Sequence, residues 1–216
     1  MKKLTRREAI KLAGAGSCAA AAAFLATRSL LSPALAGEEP AAASRPAASE
    51  PSPRKTTATA PSAGPNATAA EAMFKEGFNC AQAVLSCCGK SYGLSREAGC
   101  RMGSAFVGGM GMMGLTCGSV TGAFMVIGLK HAQLDAKDAK PAGEANRVVR
   151  EFSRRWKELH GSLCCSELLG HDISTPEGLQ AIATEGSFTK KCPILVRDAA
   201  ALVEELLASA TTAPAK

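Results

Sequence analysis

The sequence predicts an all-α protein: a compact bundle of about five to six helices around a glycine-rich central loop. Three observations lead there. From about residue 67 to 210, apolar residues recur with the period of an α-helix. No alternating apolar–polar run of useful strand length occurs. Helix-start signals punctuate the region, among them Asn79, Ser95 and the Cys192-Pro193 pair.

The elements follow in order. Thr68 to Glu76 reads as a short amphipathic helix that stops at Gly77. Asn79 caps a second helix from Cys80 to about Lys90, which ends near Gly93. Ser95 caps a third, Arg96 to about Val107, with Glu97 in its first turn. Gly108-Gly109-Met110-Gly111 breaks the pattern into a loop. A fourth helix, from about Thr116 to His131, is apolar on nearly every face and so belongs inside. A fifth, Glu144 to His160, turns Val148, Val149, Phe152, Trp156 and Leu159 inward. Cys164 to Leu169 is a short turn ending at Gly170. Residues 171 to 191 read as loop, with one turn after Thr175-Pro176-Glu177. A last helix runs from Cys192-Pro193 to about Ala208.

The folded region, residues 67–210, is preceded by two segments of other composition. Residues 1–36 look like a twin-arginine export signal. Thr5-Arg6-Arg7-Glu8-Ala9-Ile10-Lys11 is followed by a weakly hydrophobic run, Leu12 to Leu25, and by the small-x-small site Ala34-Leu35-Ala36. An uncleaved N-terminal anchor is the alternative. The signal implies a periplasmic or otherwise exported protein. Residues 37–66 are Ala, Pro, Ser and Thr with almost no larger aliphatic side chain. They cannot bury enough apolar surface to offset chain entropy and read as a disordered linker. Residues 211–216 read as a disordered tail.

Charge and composition narrow the function. The formal charge is +6, but residues 1–36 hold six basic residues and one acid, so the remainder is nearly neutral. That argues against nucleic acid, which needs a basic patch. Three histidines make a His-rich metal site a poor fit. No catalytic base or nucleophile–His pair is legible. Nine cysteines is a high count.

The central stretch, Ala105 to Leu129, has no charged residue, seven glycines and one cysteine, Cys117. A membrane span is opposed by Gly108-Gly109-Met110-Gly111 and by Thr116, Ser119 and Thr121. Gly109 to Gly114 satisfies G-x-G-x-x-G literally, with Asp135 downstream, but no strand leads into it. The third reading is a helix start that presents Cys117, with Gly118 and Gly122 allowing close packing. A helix N-terminus favours thiolate, as a metal ligand or redox cysteine requires.

Cys80, Cys165 and Cys192 also fall in predicted first turns. Four thiolates at converging helix ends suit a metal site made of four cysteines. The separations of 37, 48 and 27 residues do not match the C-x2-C pairs of zinc ribbons or ferredoxins. Such a site would have to be assembled by tertiary structure.

Several segments resemble one family. They are Gly77-Phe78-Asn79-Cys80-Ala81-Gln82-Ala83-Val84, Gly108-Gly109-Met110-Gly111, Thr116-Cys117-Gly118-Ser119-Val120-Thr121-Gly122-Ala123, Cys165-Ser166-Glu167-Leu168-Leu169-Gly170 and Cys192-Pro193. From about Phe74 to Leu206 the chain is similar to the C_GCAxxG_C_C redox-active proteins, a family related to the iron–sulfur domain of split-Soret cytochromes c. The resemblance implies that Cys80, Cys117, Cys165 and Cys192 bind a redox centre, an iron–sulfur cluster of [2Fe–2S] type. It further implies a redox partner protein and allows a homodimer. No C-x-x-C-H occurs, so no covalent haem is expected. Ser119 stands where the family often has Ala.

Other residues have plainer readings. Cys87, Cys88 and Cys100 read as helix-core residues. Cys164 adjoins Cys165 and is an alternative ligand. His131 and His160 end helices, where a cation favours the dipole, and His171 lies in a loop. Met102, Met110, Met112 and Met113 read as core filler. The competing functional readings are a metal-free thiol–disulfide protein and a structural zinc module.

Overall fold

The computed structural model describes residues 61–138 and 140–209. The predicted signal, most of the linker and the 211–216 tail lie outside the described residues. The described chain is helical, with no strand and a single isolated antiparallel bridge, Thr116 to Cys164. Among the described residues, no helix is long and apolar enough to cross a membrane.

Helix α1, Pro65–Lys75, begins inside the stretch assigned to the linker. Pro65 supplies a preset helical φ at the first position, and Ala67, Ala70 and Met73 are buried. Helix α2, Cys80–Cys88, is fixed by a full capping box. The Asn79 side chain accepts from Gln82 N–H, and the Gln82 side chain accepts from Asn79 N–H. Helix α3, Arg96–Gly103, is capped by Ser95 and is shorter than predicted, passing into a 3-10 turn at Ser104–Phe106. Asn79 Nδ2 ties the two together by donating to Gly103 O at 3.1 Å and Ser104 O at 3.2 Å.

Helix α4, Gly118–Lys130, is the centre of the bundle; Val120, Ala123, Val126 and Ile127 are fully buried. It packs most closely on α2, where Gly122 leaves no room for a Cβ: one would come within 3.0 Å of Ala81 O and 3.1 Å of Val84 Cβ. Helix α5, Lys140–His160, starts a turn before the predicted Glu144. Val148, Phe152, Trp156 and Leu159 are buried as the period requires, and Val149 is half-buried. Each large apolar group so buried contributes about 2 kcal/mol. Phe152 stacks on Trp156 and meets Phe124 edge-on, each at 5.7 Å between centroids.

Helix α6 is Cys165–Leu169. The segment predicted as loop, residues 171–191, instead holds α7, Pro176–Glu185, and α8, Ser187–Lys190. Thr175 caps α7 by accepting from Gly178 N–H. Helix α9, Cys192–Ser209, closes the core against α1, α2, α4 and α5, with Val196, Ala199, Ala200, Leu202 and Val203 fully buried.

Candidate metal centre

The chain builds the cysteine site from two devices. The first is a left-handed turn. Gly108, Gly109, Met110, Gly111 and Met112 all have φ between 58° and 68°. Three glycines make this run attainable, because each L-residue in that region costs roughly 1–2 kcal/mol. Met112 N–H donates to Val107 O at 2.9 Å, and Leu115 N–H to Gly109 O at 3.1 Å. The glycines predict a loop here, but not its left-handed run through Met110 and Met112.

The second device is a short antiparallel pairing. Cys117 N–H donates to Leu163 O at 2.8 Å, Cys165 N–H to Leu115 O at 2.6 Å and Ser166 N–H to Gly114 O at 3.1 Å. This pairing sets Cys117 beside Cys165, 48 residues away in sequence. Lys191 Nζ donates to Leu169 O at 2.8 Å, which holds the start of α9, and Cys192, against the end of α6.

All four candidate cysteines stand at helix starts. Cys80, Cys165 and Cys192 are the first residues of α2, α6 and α9, and Cys117 immediately precedes α4. Cys80, Cys117 and Cys165 are buried, and Cys192 is half-buried. Glycines make the space. A Cβ on Gly118 would collide with Cys80 Sγ and come within 2.7 Å of Phe106 O. One on Gly109 would come within 2.7 Å of Cys165 Cβ.

The thiols also act on one another. The Cys117 thiol is lowered to about 7 by a hydrogen bond from Cys165, against the opposing effect of burial. The N–H groups of Ser119 and Val120 and the Ser119 hydroxyl lower it further. Cys165 is raised, first because its proton is shared toward Cys117, then by burial and by the charges of Cys117, Cys80 and Cys192. Cys80 is raised by burial, then by Cys117 and Cys192. Burial and Cys117 push Cys192 up to about 12, with Lys191 opposing. Hydrogen bonding, first from Cys165 and then from the N–H groups at the start of α4, thus favours the Cys117 thiolate, while that shared proton raises Cys165 and burial raises Cys80 and Cys192.

The described residues contain no group of three His, Cys, Asp or Glu arranged to hold a single metal ion as they stand. The donor set is nonetheless coherent: the thiols that shift Cys80 and Cys165 are other members of the same four. Soft thiolate donors suit an iron–sulfur cluster or zinc.

The family model described as "Putative redox-active protein (C_GCAxxG_C_C)" matches residues 78–206, more than half of the chain. The chain belongs to the C_GCAxxG_C_C family. No curated protein and no solved structure matches it. Within this family member, the matched region runs from before α2 into the last turn of α9 and includes all four candidate cysteines.

The other singled-out residues lie elsewhere. Cys164 Sγ donates to Gly114 O at 3.0 Å, so its thiol is turned to the glycine loop's backbone. Cys88 is buried near Ala200 O, Cys87 meets Met73 Sδ at 4.0 Å, and Cys100 meets Ser86 Oγ at 3.6 Å. His160 differs from a surface cap: it is nearly buried, against Trp156 at 4.3 Å, with Nε2 3.3 Å from Asp198 Oδ2. His171 pairs with Glu185 at 2.7 Å. Met102 and Met113 are exposed, not core filler, whereas Met112 packs against the core.

Proposed function

We propose that this family member is an exported electron-transfer or redox-sensing protein in which Cys80, Cys117, Cys165 and Cys192 hold an iron–sulfur cluster of [2Fe–2S] type. The observation that carries this reading is the placement of four cysteines from distant segments at four helix starts, with Gly118 and Gly109 leaving space for Cys80 and Cys165. When bound, the cluster would supply a one-electron redox couple. The chain's own part is to favour thiolate through helix-start N–H groups and to exclude water by burial. The resemblance of the family to the iron–sulfur domain of split-Soret cytochromes would accord with this role. Export by the twin-arginine route rests on the motif within residues 1–36.

A redox partner protein would approach where apolar side chains are exposed beside the cysteines. Val107, Met113 and Leu115 border the glycine loop, and Ile194 lies two residues after Cys192. A second copy of the chain is an alternative occupant of that face.

One observation favours a second reading. The hydrogen bond between Cys165 and Cys117, with Cys117 lowered to about 7, is what a metal-free dithiol–disulfide couple would use. A single anaerobic preparation separates these readings. The cluster predicts a coloured protein with two irons and two sulfides per chain on general [2Fe–2S] stoichiometry. A colourless, iron-free protein contradicts it. Equimolar zinc would favour a structural zinc module, and a Cys117–Cys165 disulfide by mass mapping would favour the dithiol couple.

A further inference from the structure

Ser119 is the second residue of α4 and is completely buried, yet its Oγ makes no hydrogen bond of ordinary geometry. A hydroxyl in a helix usually relieves itself by donating to the carbonyl four residues back. Thr121, two positions on, does so: its Oγ1 donates to Cys117 O at 3.3 Å. For Ser119 that carbonyl belongs to Leu115, and it already accepts the short 2.6 Å bond from Cys165 N–H. The hydroxyl is left without an acceptor in the first turn of the helix that Cys117 directly precedes, two residues along the chain from that ligand candidate. Buried polar groups without partners are costly and uncommon, so this one calls for an acceptor.

We propose that the acceptor is the Cys117 sulfur when it serves as a ligand, and that Ser119 is a positioning residue that raises the reduction potential of the bound centre. The inference rests on the reading of the four cysteines as cluster ligands. One-electron reduction adds a negative charge that is shared with the ligand sulfurs. A hydroxyl donating to one of them stabilises the reduced form more than the oxidised form. Thr121 provides the contrast, because its hydroxyl is already bound to backbone.

The test uses the full chain and its Ser119→Ala and Thr121→Val variants, purified anaerobically and reconstituted with ferrous iron and sulfide. Each is titrated with dithionite and followed by its visible spectrum. Ser119→Ala should keep full iron content but shift the reduction equilibrium about tenfold toward the oxidised form, which is about 59 mV lower for one electron. Thr121→Val should match the parent. A Ser119→Ala midpoint equal to the parent's, or an equal shift in Thr121→Val, overturns the assignment while leaving the cluster reading intact. A parent chain that forms no iron centre overturns the cluster reading and this assignment with it.

Discussion

Two sets of cysteines share this small fold, and they differ in where the helices put them. Cys80, Cys117, Cys165 and Cys192 stand at helix starts, and Cys80 and Cys165 sit against Gly118 and Gly109. Cys87, Cys88 and Cys100 lie inside α2 and α3 and touch ordinary packing partners: Met73, the Ala200 carbonyl and Ser86. Cys88 is as buried as Cys117. Yet burial raises Cys88, while hydrogen bonding lowers Cys117 to about 7. Burial alone therefore does not favour a thiolate. The donors around the sulfur do, and here they come from helix ends and from Cys165.

The sharpest way to break this contrast is to fill the space that the glycines leave. Gly118→Ala puts a methyl onto Cys80 Sγ and within 2.7 Å of the Phe106 carbonyl. It should destabilise the fold by about 3 kcal/mol and abolish iron binding, measured by denaturant unfolding and metal analysis. Gly128→Ala, in the same helix, has open space around the new methyl; it should stabilise slightly and keep full iron content.

The interior set should answer to stability alone. Cys88→Ala deletes a small buried group, so unfolding should show a loss of about 1 kcal/mol with iron content unchanged. The same thiol makes a pH prediction. Burial, then Glu204 and Cys87, raise its pKa in the fold. Folding therefore retains a proton that the unfolded chain releases above its ordinary value of 9.0. The stabilisation is complete below that pH and declines as pH rises through the folded value. Metal-free protein should lose stability between about pH 9 and 11, and Cys88→Ala should flatten that decline by up to about 1.4 kcal/mol per pH unit.

A smaller effect sharpens the picture of the loop. Met110 is held at φ 66° without being buried. Met110→Gly should stabilise by about 1 kcal/mol, read by the same unfolding assay. A loss instead would mean that the Met110 side chain contributes more than its backbone strain costs.

Much of this was legible in the sequence, and the gaps have physical causes. Asn79, Ser95 and Cys192-Pro193 are local signals, since capping is settled within four residues, and they marked helix starts correctly. The apolar face of α5 repeats strongly enough to name its buried residues. Helix α7 was missed although Thr175-Pro176 announces it. Gly178 and the single large buried residue Ile182 leave too weak a period. The bridge from Thr116 to Cys164 and the left-handed run from Gly108 to Met112 were not legible. One joins distant segments, and the other places two methionines where glycine is the usual occupant. The four helix-start cysteines could be named from capping; that Cys165 rather than Cys164 lies against Cys117 required the pairing seen in the fold.

The central claim is that position at a helix start, not burial or sequence proximity, separates the two cysteine sets. The most direct measurement is iron bound per chain, after anaerobic reconstitution, in Cys117→Ser and Cys88→Ser side by side. Loss of bound iron and visible absorption in Cys117→Ser, with both retained in Cys88→Ser, is the predicted result. Equal iron in the two variants would contradict the account.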